Sequence, residues 1–485
     1  MLADLAPLAS WLFGAAVTVF SGLTALHALF RKRSPRNASA WVGICIVFPL
    51  FGALTYWLLA QNRIFYRAKR LRRRWPSRAT LDASVAAERG DLEAVARSDE
   101  ELSQMAEIER VGNAATGMPL VPGNRVTPLE NGEACYTRMI ERIDAARESI
   151  FLETYLFDGP RVEAQFGAAL SRAAERGVDV RVLLDGLGAL VDKGTTRKLL
   201  ISRGVRVESF LQPSFTGRGL HLNLRNHRKI LTIDGEFGFT GGMNLRDVNL
   251  KSGDDDGWRV RDLHFELEGQ IVRGLEDVFL EDWQFATGEE QPLRRRPEAA
   301  PAGRALCRAV PDGPNEDFES FKWILIGAIG SARTRVRLVS PYFIPTEDLE
   351  TALVAASLRG VEVQVLIPET VDHKVTQWAT RAMVWQMLQR GVEVRLQPGP
   401  FAHTKLVLID EIVSIVGSAN MDPRSLRLNF EFNLVVHDAE LAGQLNALFE
   451  RDWEPAEPLT LSELTEAPFW KRFRDNVARL GAPYL

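Results

Sequence analysis

Two stretches of the chain carry the same polar residue types at the same spacing. They read NHRKILTIDGEFGFTGGMN at residues 226–244 and AHTKLVLIDEIVSIVGSAN at residues 402–420. In each, a histidine is followed by a lysine at +2, an aspartate at +7, a glycine at +14 and an asparagine at +17. One histidine and one lysine on a strand are usually a solvated face, but the full pattern in two copies indicates a shared use. The predicted catalytic set is His227, Lys229, Asp234, His403, Lys405 and Asp410.

These residue types suit the chemistry of a phosphodiester. A lysine ammonium and an asparagine amide can donate to the non-bridging oxygens and stabilise the charge that builds in the transition state. One imidazole can attack phosphorus while a second protonates the departing alkoxide. The resulting phosphohistidine can pass its group to an alcohol or to water. Since the lysines supply the positive charge, we expect no metal and no cofactor.

Strand periodicity predicts how the groups face. His227 and Lys229 are two residues apart and therefore project together, whereas Asp234, at an odd offset from His227, need not share their face and suits a structural role in the turn. Asp234-Gly235 is a signal for a two-residue hairpin turn, which would place Gly242 opposite His227. The second copy predicts the same arrangement with Ser418 opposite its histidine. The predicted phosphate-binding residues are Asn244, Gly242, Asn420 and Ser418.

The segments around these motifs also repeat. ARESIFLETYLF (146–157) is echoed by ARTRVRLVSPYF (332–343), and RGVDVRVLL (176–184) by RGVEVQVLI (359–367). Each copy alternates helical stretches with short Val/Leu/Ile strands, which is typical of α/β architecture. The chain is therefore predicted to hold two tandem α/β sandwich domains related by a pseudo-twofold axis.

The amino-terminal region predicts a membrane anchor. Residues 5–30 and 37–62 are each 26 residues without a charge, or about 39 Å as helix, which is enough to cross a bilayer core. Basic clusters follow both runs, at 31–36 and 63–74. The larger cluster predicts that everything after residue 63 is cytoplasmic. If both segments span, the two basic clusters lie on opposite faces of the membrane, and the positive-inside rule cannot satisfy both. The alternative is a second segment that bends at Pro49 and re-enters on the same side.

Charge and cysteine content exclude other classes. Residues 1–75 hold 11 basic residues and one acid, which leaves 48 basic and 62 acidic residues in the rest of the chain. That acidic body argues against nucleic-acid binding, which needs clustered positive charge. Three widely spaced cysteines suggest neither a disulfide framework nor a zinc site.

The predicted organisation follows from these patterns. The boundaries are a membrane anchor at 1–75, a connecting helical segment at 76–118, a first domain at 119–290, a linker at 291–303 and a second domain at 304–485. The second domain ends in an amphipathic stretch, PFWKRFRDNVARL (468–480). It predicts either a helix lying on anionic lipid or a helix packed on the second domain.

The paired His-x-Lys-x4-Asp motifs, with Gly-Gly-x-Asn and Gly-Ser-x-Asn downstream, resemble the phospholipase D superfamily. NGEACYTRMIERIDAARESIFLETYLF, SPYFIPTEDLETALVAASLRGVEVQVLIPE and GSANMDPRSLRLNFEFN, with the two amino-terminal segments, resemble bacterial cardiolipin synthases in particular. LRDVNL, after the first motif asparagine, departs from the acidic and aromatic sequence that similar synthases more often carry.

The resemblance implies an enzyme of the bacterial inner membrane, multi-pass, that transfers a phosphatidyl group from one phosphatidylglycerol to another and releases glycerol. It implies one active site between the two copies, in which one histidine becomes phosphatidylated and the other acts as general acid and then base. It also implies that Asp262 and Glu431 orient the histidines. The alternatives are a phospholipase D that makes phosphatidic acid, a nuclease of the same superfamily, and an inactive lipid-binding scaffold; the oligomeric state stays open.

Overall fold

The computed structural model of the chain describes residues 2–32, 35–59, 100–188, 195–211, 224–251, 259–289, 300–314 and 317–482. The helices of residues 2–59 form one compact unit and the described residues from 100 onward form a second, and each unit is described by itself. Residues 290–299, which make up most of the predicted linker, and residues 76–99 of the predicted connecting segment lie outside the described residues.

The amino-terminal unit consists of three helices: α1 (Leu2–Arg31), α2 (Pro35–Val47) and α3 (Pro49–Leu59). Within the described residues, one helical stretch is long and apolar enough to cross a membrane, Ser10–Arg31. Of the two predicted membrane helices only the first meets this test of length and composition, so the prediction of two is not confirmed. The second segment is broken at Phe48, because the proline that follows cannot donate a backbone hydrogen bond.

The break between α2 and α3 is a tight bend. A Cβ added at Gly52 would lie 2.4 Å from the carbonyl oxygen of Ile44, so only glycine allows this close approach. The side chains of α3 also bond to α1: Trp57 donates from Nε1 to Thr24 Oγ1 at 3.0 Å. Both short helices thus pack on α1 and on one another.

One continuous sheet of 15 strands organises the rest of the chain. Its order is β19-β14-β13-β12-β16-β17-β18-β11-β1-β10-β7-β6-β2-β4-β5. The strands of the first copy are β1 (Leu120–Glu130), β2 (Ser149–Thr154), β4 (Asp179–Asp185), β5 (Arg206–Phe210), β6 (Ile230–Ile233), β7 (Phe237–Gly241) and β10 (Leu263–Glu268). Those of the second are β11 (Ala305–Asp312), β12 (Arg335–Val339), β13 (Glu362–Pro368), β14 (Glu393–Gln397), β16 (Leu406–Ile409), β17 (Val413–Gly417), β18 (Glu431–His437) and the short edge strand β19 (Glu457–Pro458). The four other short strands form two separate pairs, β3 (Phe157–Asp158) with β8 (Leu245–Arg246) and β9 (Val260–Arg261) with β15 (Phe401–Ala402).

The duplication read from the sequence is confirmed by this order. Counting outward from the middle, β1-β10-β7-β6-β2-β4-β5 mirrors β11-β18-β17-β16-β12-β13-β14. The two halves join where β1 and β11 pair antiparallel, with an irregularity between Val121 and Asn124. The copies therefore share one sheet, and the pseudo-twofold axis passes between its two central strands.

Helices cover both faces of the sheet, as the term sandwich requires. One face carries α5 (Asn131–Ala145) and α6 (Pro160–Glu175) in the first copy and α9 (Ser320–Ser331) and α10 (Glu347–Leu358) in the second; the other carries α8 (Ile271–Thr287) and α13 (Ala439–Trp453). The remaining helices of this unit are α4 (Glu100–Ala115), α7 (Thr195–Ser202), α11 (Lys374–Met383), α12 (Trp385–Gln389), α14 (Leu461–Thr465) and α15 (Phe469–Leu480). Alternation along β2 shows the division: Ile150 and Leu152 enter the core under α5 and α6, while Phe151 stacks on Phe279 of α8 at 5.0 Å.

Helix α4 is more than a connector. It lies before the first copy in sequence but docks on the second, where Glu109 pairs with buried Arg308 of β11 and its Oε1 lies 2.8 Å from His437 Nε2 of β18. Gln104 of the same helix donates to Asp410 at 2.5 Å. A segment without a recognisable motif therefore supports one of the two repeated motifs.

Candidate active site

The two motif histidines lie on segments that cross between the copies. His227 and Lys229 precede β6, and His403 and Lys405 lie between β15 (Phe401–Ala402) and β16, so these pairs do not lie on the strands themselves as predicted. The backbone N–H of His227 donates to the Phe430 carbonyl at 2.8 Å, and that of His403 to the Arg261 carbonyl at 2.7 Å. Each histidine is thus tied to the segment that leads into a strand of the other copy.

This crossing decides which carboxylate meets which histidine. His227 Nδ1 lies 3.0 Å from Glu431 Oε2, and His403 Nδ1 lies 2.8 Å from Asp262 Oδ2. In both pairs the imidazole and the carboxylate come from different copies. A Nδ1–H that donates to a carboxylate leaves Nε2 with its lone pair, which is the tautomer needed for attack on phosphorus or for taking up a proton.

Different neighbours hold the two carboxylates. Glu431 accepts from the Ser418 hydroxyl at 2.5 Å and from Asn429 Nδ2 at 3.0 Å. Asp262 accepts from the backbone N–H of Leu263 at 2.8 Å, and a Cβ added at Gly242 would lie 2.4 Å from its Oδ1. The structure therefore places Ser418 and Gly242, both predicted to line the phosphate, against the histidine-orienting carboxylates.

The two lysines lie beside their histidines. Lys229 Nζ donates to the His227 carbonyl at 2.6 Å, and Lys405 Nζ donates to the His403 carbonyl at 2.5 Å. Lys405 Nζ also lies 2.9 Å from Nδ1 and 3.0 Å from Nε2 of the His403 ring. Both ammonium groups are thus held beside the histidine of their own motif.

Burial sets the protonation of the site. It lowers the pKa of His227 to about 4, of Lys229 to about 7 and of Lys405 to about 8, and it also lowers the pKa of His403. Burial alone would raise the pKa of Glu431, but His227, Lys229 and the Ser418 hydroxyl outweigh it and hold that pKa below its usual value. Near neutral pH the imidazoles are therefore neutral, Glu431 is ionised, Lys405 is mostly charged and Lys229 is about half charged. An anion that enters the site favours the charged form of both lysines.

The motif asparagines lie on the connections that follow β7 and β17. Asn244 accepts the backbone N–H of Leu156 at 3.3 Å through Oδ1. The Asn420 amide hydrogen-bonds Asp422, a carboxyl whose pKa burial raises to about 6. Both amides are largely buried, so each is fixed by its own copy before any substrate is present.

The motif aspartates lie away from this chemistry, at the far ends of β6 and β16. Asp234 accepts the backbone N–H groups of residues 147, 148 and 149, each within 2.8 Å. Asp410 accepts those of residues 333, 334 and 335 and the Gln104 amide. These contacts favour the structural alternative, in which the aspartates fix the start of β2 and of β12.

The predicted hairpin register was wrong by one residue. Strand pairing of Ile233 with Phe237 leaves a three-residue loop, not a two-residue turn, and the second copy repeats it with Ile409 opposite Val413. The first loop residue of each copy is an aspartate with positive φ, 55° at Asp234 and 52° at Asp410, a left-handed conformation that aspartate tolerates better than most residues. The extra residue moves Gly242 away from the position opposite His227 and toward Asp262.

Two tyrosines flank the histidines and were not predicted. The Tyr155 ring lies 5.4 Å from the His227 ring, and the Tyr342 ring lies 6.3 Å from the His403 ring. A signal existed, because both repeats carry a tyrosine just after the strand, in ETYLF and SPYF. An ungapped alignment places Tyr155 opposite Pro341, one residue from Tyr342, and so hides the match.

A buried arginine beneath the site was also missed. Arg228, between the first histidine and lysine, pairs with Asp282 and donates to the carbonyl of Glu431 at 3.1 Å and of Asp312 at 3.3 Å. It thereby ties the first motif to β18 and β11 of the second copy. The second motif has Thr404 at this position, so repetition gave no signal for it.

Comparison with known proteins agrees with this arrangement. The family model described as "Cardiolipin synthase, PLD-like domain" matches residues 139–283 and 325–453, one match in each copy. A second model, "Phospholipase_D-nuclease N-terminal", matches residues 19–61. Both repeats and the amino-terminal helices are therefore covered.

Two curated relatives match nearly the whole length. Cardiolipin synthase A of Pseudomonas entomophila is 33% identical over 467 residues, which is 96% of each chain. The major cardiolipin synthase of Bacillus subtilis is 30% identical over 475 residues, 96% of this chain and 97% of the relative. Among solved structures, phosphatidylserine synthase of Haemophilus influenzae matches with a TM-score of 0.56 over 78% of this chain and 100% of its own, at 14% identity, and shows the fold alone.

Proposed function

The chain belongs to the cardiolipin synthase family of the phospholipase D superfamily, and from that premise we propose that it joins two phosphatidylglycerol molecules through a phosphohistidine intermediate. Its enzyme class is phosphatidyltransferase, in phospholipid biosynthesis, with phospholipids of the membrane as substrates. Our proposal adds two points: phosphatidylglycerol is both the phosphatidyl donor and the acceptor, and a histidine is phosphatidylated on the way.

The proposed reaction has two displacements at one phosphorus atom. In the first, Nε2 of one motif histidine attacks phosphorus and the bond to the head-group glycerol breaks. The second histidine, protonated on Nε2 because the bound phosphate and its own carboxylate favour the imidazolium form, gives the leaving oxygen its proton. In the second, that histidine takes the proton from the terminal hydroxyl of another phosphatidylglycerol, whose oxygen attacks phosphorus as the P–N bond breaks. The products are cardiolipin and glycerol, and the enzyme is regenerated.

The single observation that carries this proposal is the crossed pairing of His227 with Glu431 and of His403 with Asp262. Two imidazoles, each with Nδ1 at a carboxylate, present two Nε2 atoms at one interface. A double displacement needs this combination, with one nitrogen as nucleophile and the other as acid and then base. The buried ammonium groups of Lys229 and Lys405 would hold the non-bridging oxygens between them.

The experiment supplies detergent-purified protein with phosphatidylglycerol labelled in its head-group glycerol. We expect cardiolipin and free glycerol in equal amounts, and loss of both by at least about a thousandfold in His227→Ala and in His403→Ala. Phosphatidic acid and glycerol without cardiolipin would make the enzyme a phospholipase D, because water would then intercept the intermediate. Absence of turnover would favour the lipid-binding scaffold.

For the amino-terminal segments we infer a re-entrant form, with α1 as the span and with α2 and α3 entering and leaving on the cytoplasmic side. The bend at Phe48 and the close contact of Gly52 with Ile44 support it. It also places both basic clusters on the cytoplasmic side, as the positive-inside rule favours. Single cysteines at positions 34 and 62 would be labelled from outside intact cells; we expect neither to react, and labelling of position 34 alone contradicts the re-entrant form.

A further inference from the structure

The last helix of the chain has two opposite faces with different partners. Its inner face packs on α11: Ala478 and, just beyond the helix, Ala482 join a small core with Ile344 and Ala379. Asp475 is buried on the same face, where Arg381 of α11 lies 3.7 Å away. Helix α15 is therefore fixed to the second copy, which is one of the two alternatives read from the sequence.

The outer face is apolar and exposed. Its side chains have exposed fractions of 81% for Phe469, 58% for Trp470, 61% for Phe473, 49% for Val477 and 80% for Leu480. At about 100° per residue these five fall within an arc of about 100° that lies opposite the buried face. A strip of this kind facing water is unfavourable, and it marks a contact surface.

The charges that border this strip select the partner. Arg472 and Arg479 lie along one edge and Arg474 along the other, and the helix holds four basic residues and one acid. The Arg474 guanidinium lies over the Trp378 ring of α11 at 4.5 Å and pairs with Asp475, which fixes it beside the strip. An apolar strip with aromatic rings and arginines at both edges fits the headgroup region of an anionic lipid layer, where rings and hydrocarbon insert and guanidinium groups meet phosphates.

The strip is linked to the active site through helix α11. Helix α11 hydrogen-bonds the chain beside Tyr342, since Thr380 Oγ1 donates to the Phe343 carbonyl at 2.8 Å. Ile344, which packs against Ala478, lies two residues from the tyrosine whose ring contacts His403. A contact that positions α15 therefore also positions this half of the active site.

We propose that α15 lies flat in the headgroup region of an anionic phospholipid bilayer, with Phe469, Phe473 and Leu480 inserted, and that this docking positions the His403 side of the active site at the leaflet that holds the substrate. The lipid contact goes beyond the proposed function and does not need catalysis. Only its consequence for the rate depends on that function.

The contact is tested with an environment-sensitive fluorophore on a single introduced cysteine of the full chain in lipid nanodiscs, since Cys45, Cys135 and Cys307 are buried. The probe is placed at Phe473→Cys, with Ile201→Cys of α7, another exposed apolar position, as the matched control. In nanodiscs with phosphatidylglycerol we expect a blue shift and quenching by spin-labelled lipid at 473 but not at 201. Equal behaviour of the two positions overturns the proposal.

Two further variants separate docking from folding and from catalysis. Arg472→Glu with Arg479→Glu is expected to abolish the difference between phosphatidylglycerol and phosphatidylcholine nanodiscs in the fluorescence at 473. Phe473→Glu with Leu480→Glu is expected to slow cardiolipin formation about tenfold in bilayers and less than about twofold in detergent micelles, where substrate reaches the site without docking. An equal loss of rate in bilayers and in micelles would mean that the helix acts only through packing, and it would overturn the proposal. If the wild-type chain makes no cardiolipin but the probe at 473 is still quenched by lipid, only the proposed function is refuted.

Discussion

The two halves of the active site place a carboxylate at Nδ1 of a histidine with different side chains. On the His227 side the carboxylate is the longer Glu431, and a serine hydroxyl from β17's end reaches it. On the His403 side the carboxylate is the shorter Asp262, which lies so close to the backbone that only glycine fits at position 242. The carboxylate on the His403 side is shorter by one methylene group and its neighbour has no side chain, yet Nδ1 of both histidines meets a carboxylate oxygen within 3.0 Å.

This difference shows that the duplication preserves the position of the reacting atoms more strictly than the residues that place them. It also makes the halves distinguishable by experiment. The half-sites have different carboxylates, different neighbours of those carboxylates and lysines of different pKa, so each can be perturbed without the same change in the other.

The largest expected effect comes from removing the charge of one carboxylate. Glu431→Gln and Asp262→Asn are each expected to slow cardiolipin formation by about 10²–10⁴-fold, because the imidazole loses the group that fixes its tautomer. The measurement compares phosphatidylglycerol with a phosphatidyl ester of p-nitrophenol, whose good leaving group needs no general acid. With this ester, the rate of phosphatidyl-enzyme formation should return toward the wild-type rate only in variants that impair the general-acid histidine.

The crossed pairing predicts which carboxylate variant behaves like which histidine variant toward the activated ester. Glu431→Gln should respond to the activated ester as His227→Ala does, and Asp262→Asn as His403→Ala does. The opposite grouping, with each carboxylate serving the histidine of its own copy, would contradict the pairing seen in the structure.

A smaller effect is expected at the neighbours of the carboxylates. Gly242→Ala should lower the rate by about 10–100-fold, since its Cβ would displace Asp262 from His403. Ser418→Ala removes one hydrogen bond to Glu431 and should cost about tenfold or less. Steady-state rates with folded protein, checked by thermal unfolding, test the order; a greater loss at Ser418 than at Gly242 would contradict it.

The lysines predict how the rate depends on pH. Lys229, with a pKa of about 7, loses its charge before Lys405, at about 8, so kcat/KM should fall by about tenfold per pH unit above these values. A bound phosphate favours the ammonium form and raises the lysine pKa, so kcat should fall at a higher pH than kcat/KM. Below about pH 4 the rate should also fall if His227 supplies the attacking nitrogen, because protonation removes its lone pair. Profiles that stay flat to pH 10 would show that the lysine charges are not needed.

The smallest effect on catalysis is expected at the motif aspartates. Asp410→Asn should change the rate by less than about twofold but destabilise the fold by about 1–3 kcal/mol, because it weakens several hydrogen bonds to a carboxylate. Burial would raise the pKa of Asp410, but backbone N–H groups and Gln104 outweigh it and lower that pKa. Its stabilisation is therefore present above about pH 4 and lost as pH falls through the lowered pKa. Thermal unfolding should show a smaller loss for Asp234→Asn, which has no contact from α4 among those described.

The sequence by itself determined the chemistry and the plan of the molecule. Two histidines, two lysines and two asparagines at fixed spacing predicted phosphodiester chemistry, and the repeated strands predicted two α/β copies. Both follow from local information, because residue type sets what a group can do and periodicity of two sets which strand faces are buried. The family resemblance covered nearly the whole chain and matched the relatives found by comparison.

Only the tertiary structure decided which partner each group has. Glu431 contacts His227, and Asp262 contacts His403, because segments of the two copies cross. The members of these pairs are separated by 204 and by 141 positions in the chain, so no local pattern encodes the contacts. The one-residue error at Gly242 arose because the loop holds three residues where the Asp-Gly signal predicts two, and a slip of one residue reverses the direction of every side chain in a strand. Spacing therefore set the chemical groups, and long-range packing set the pairs in which they act.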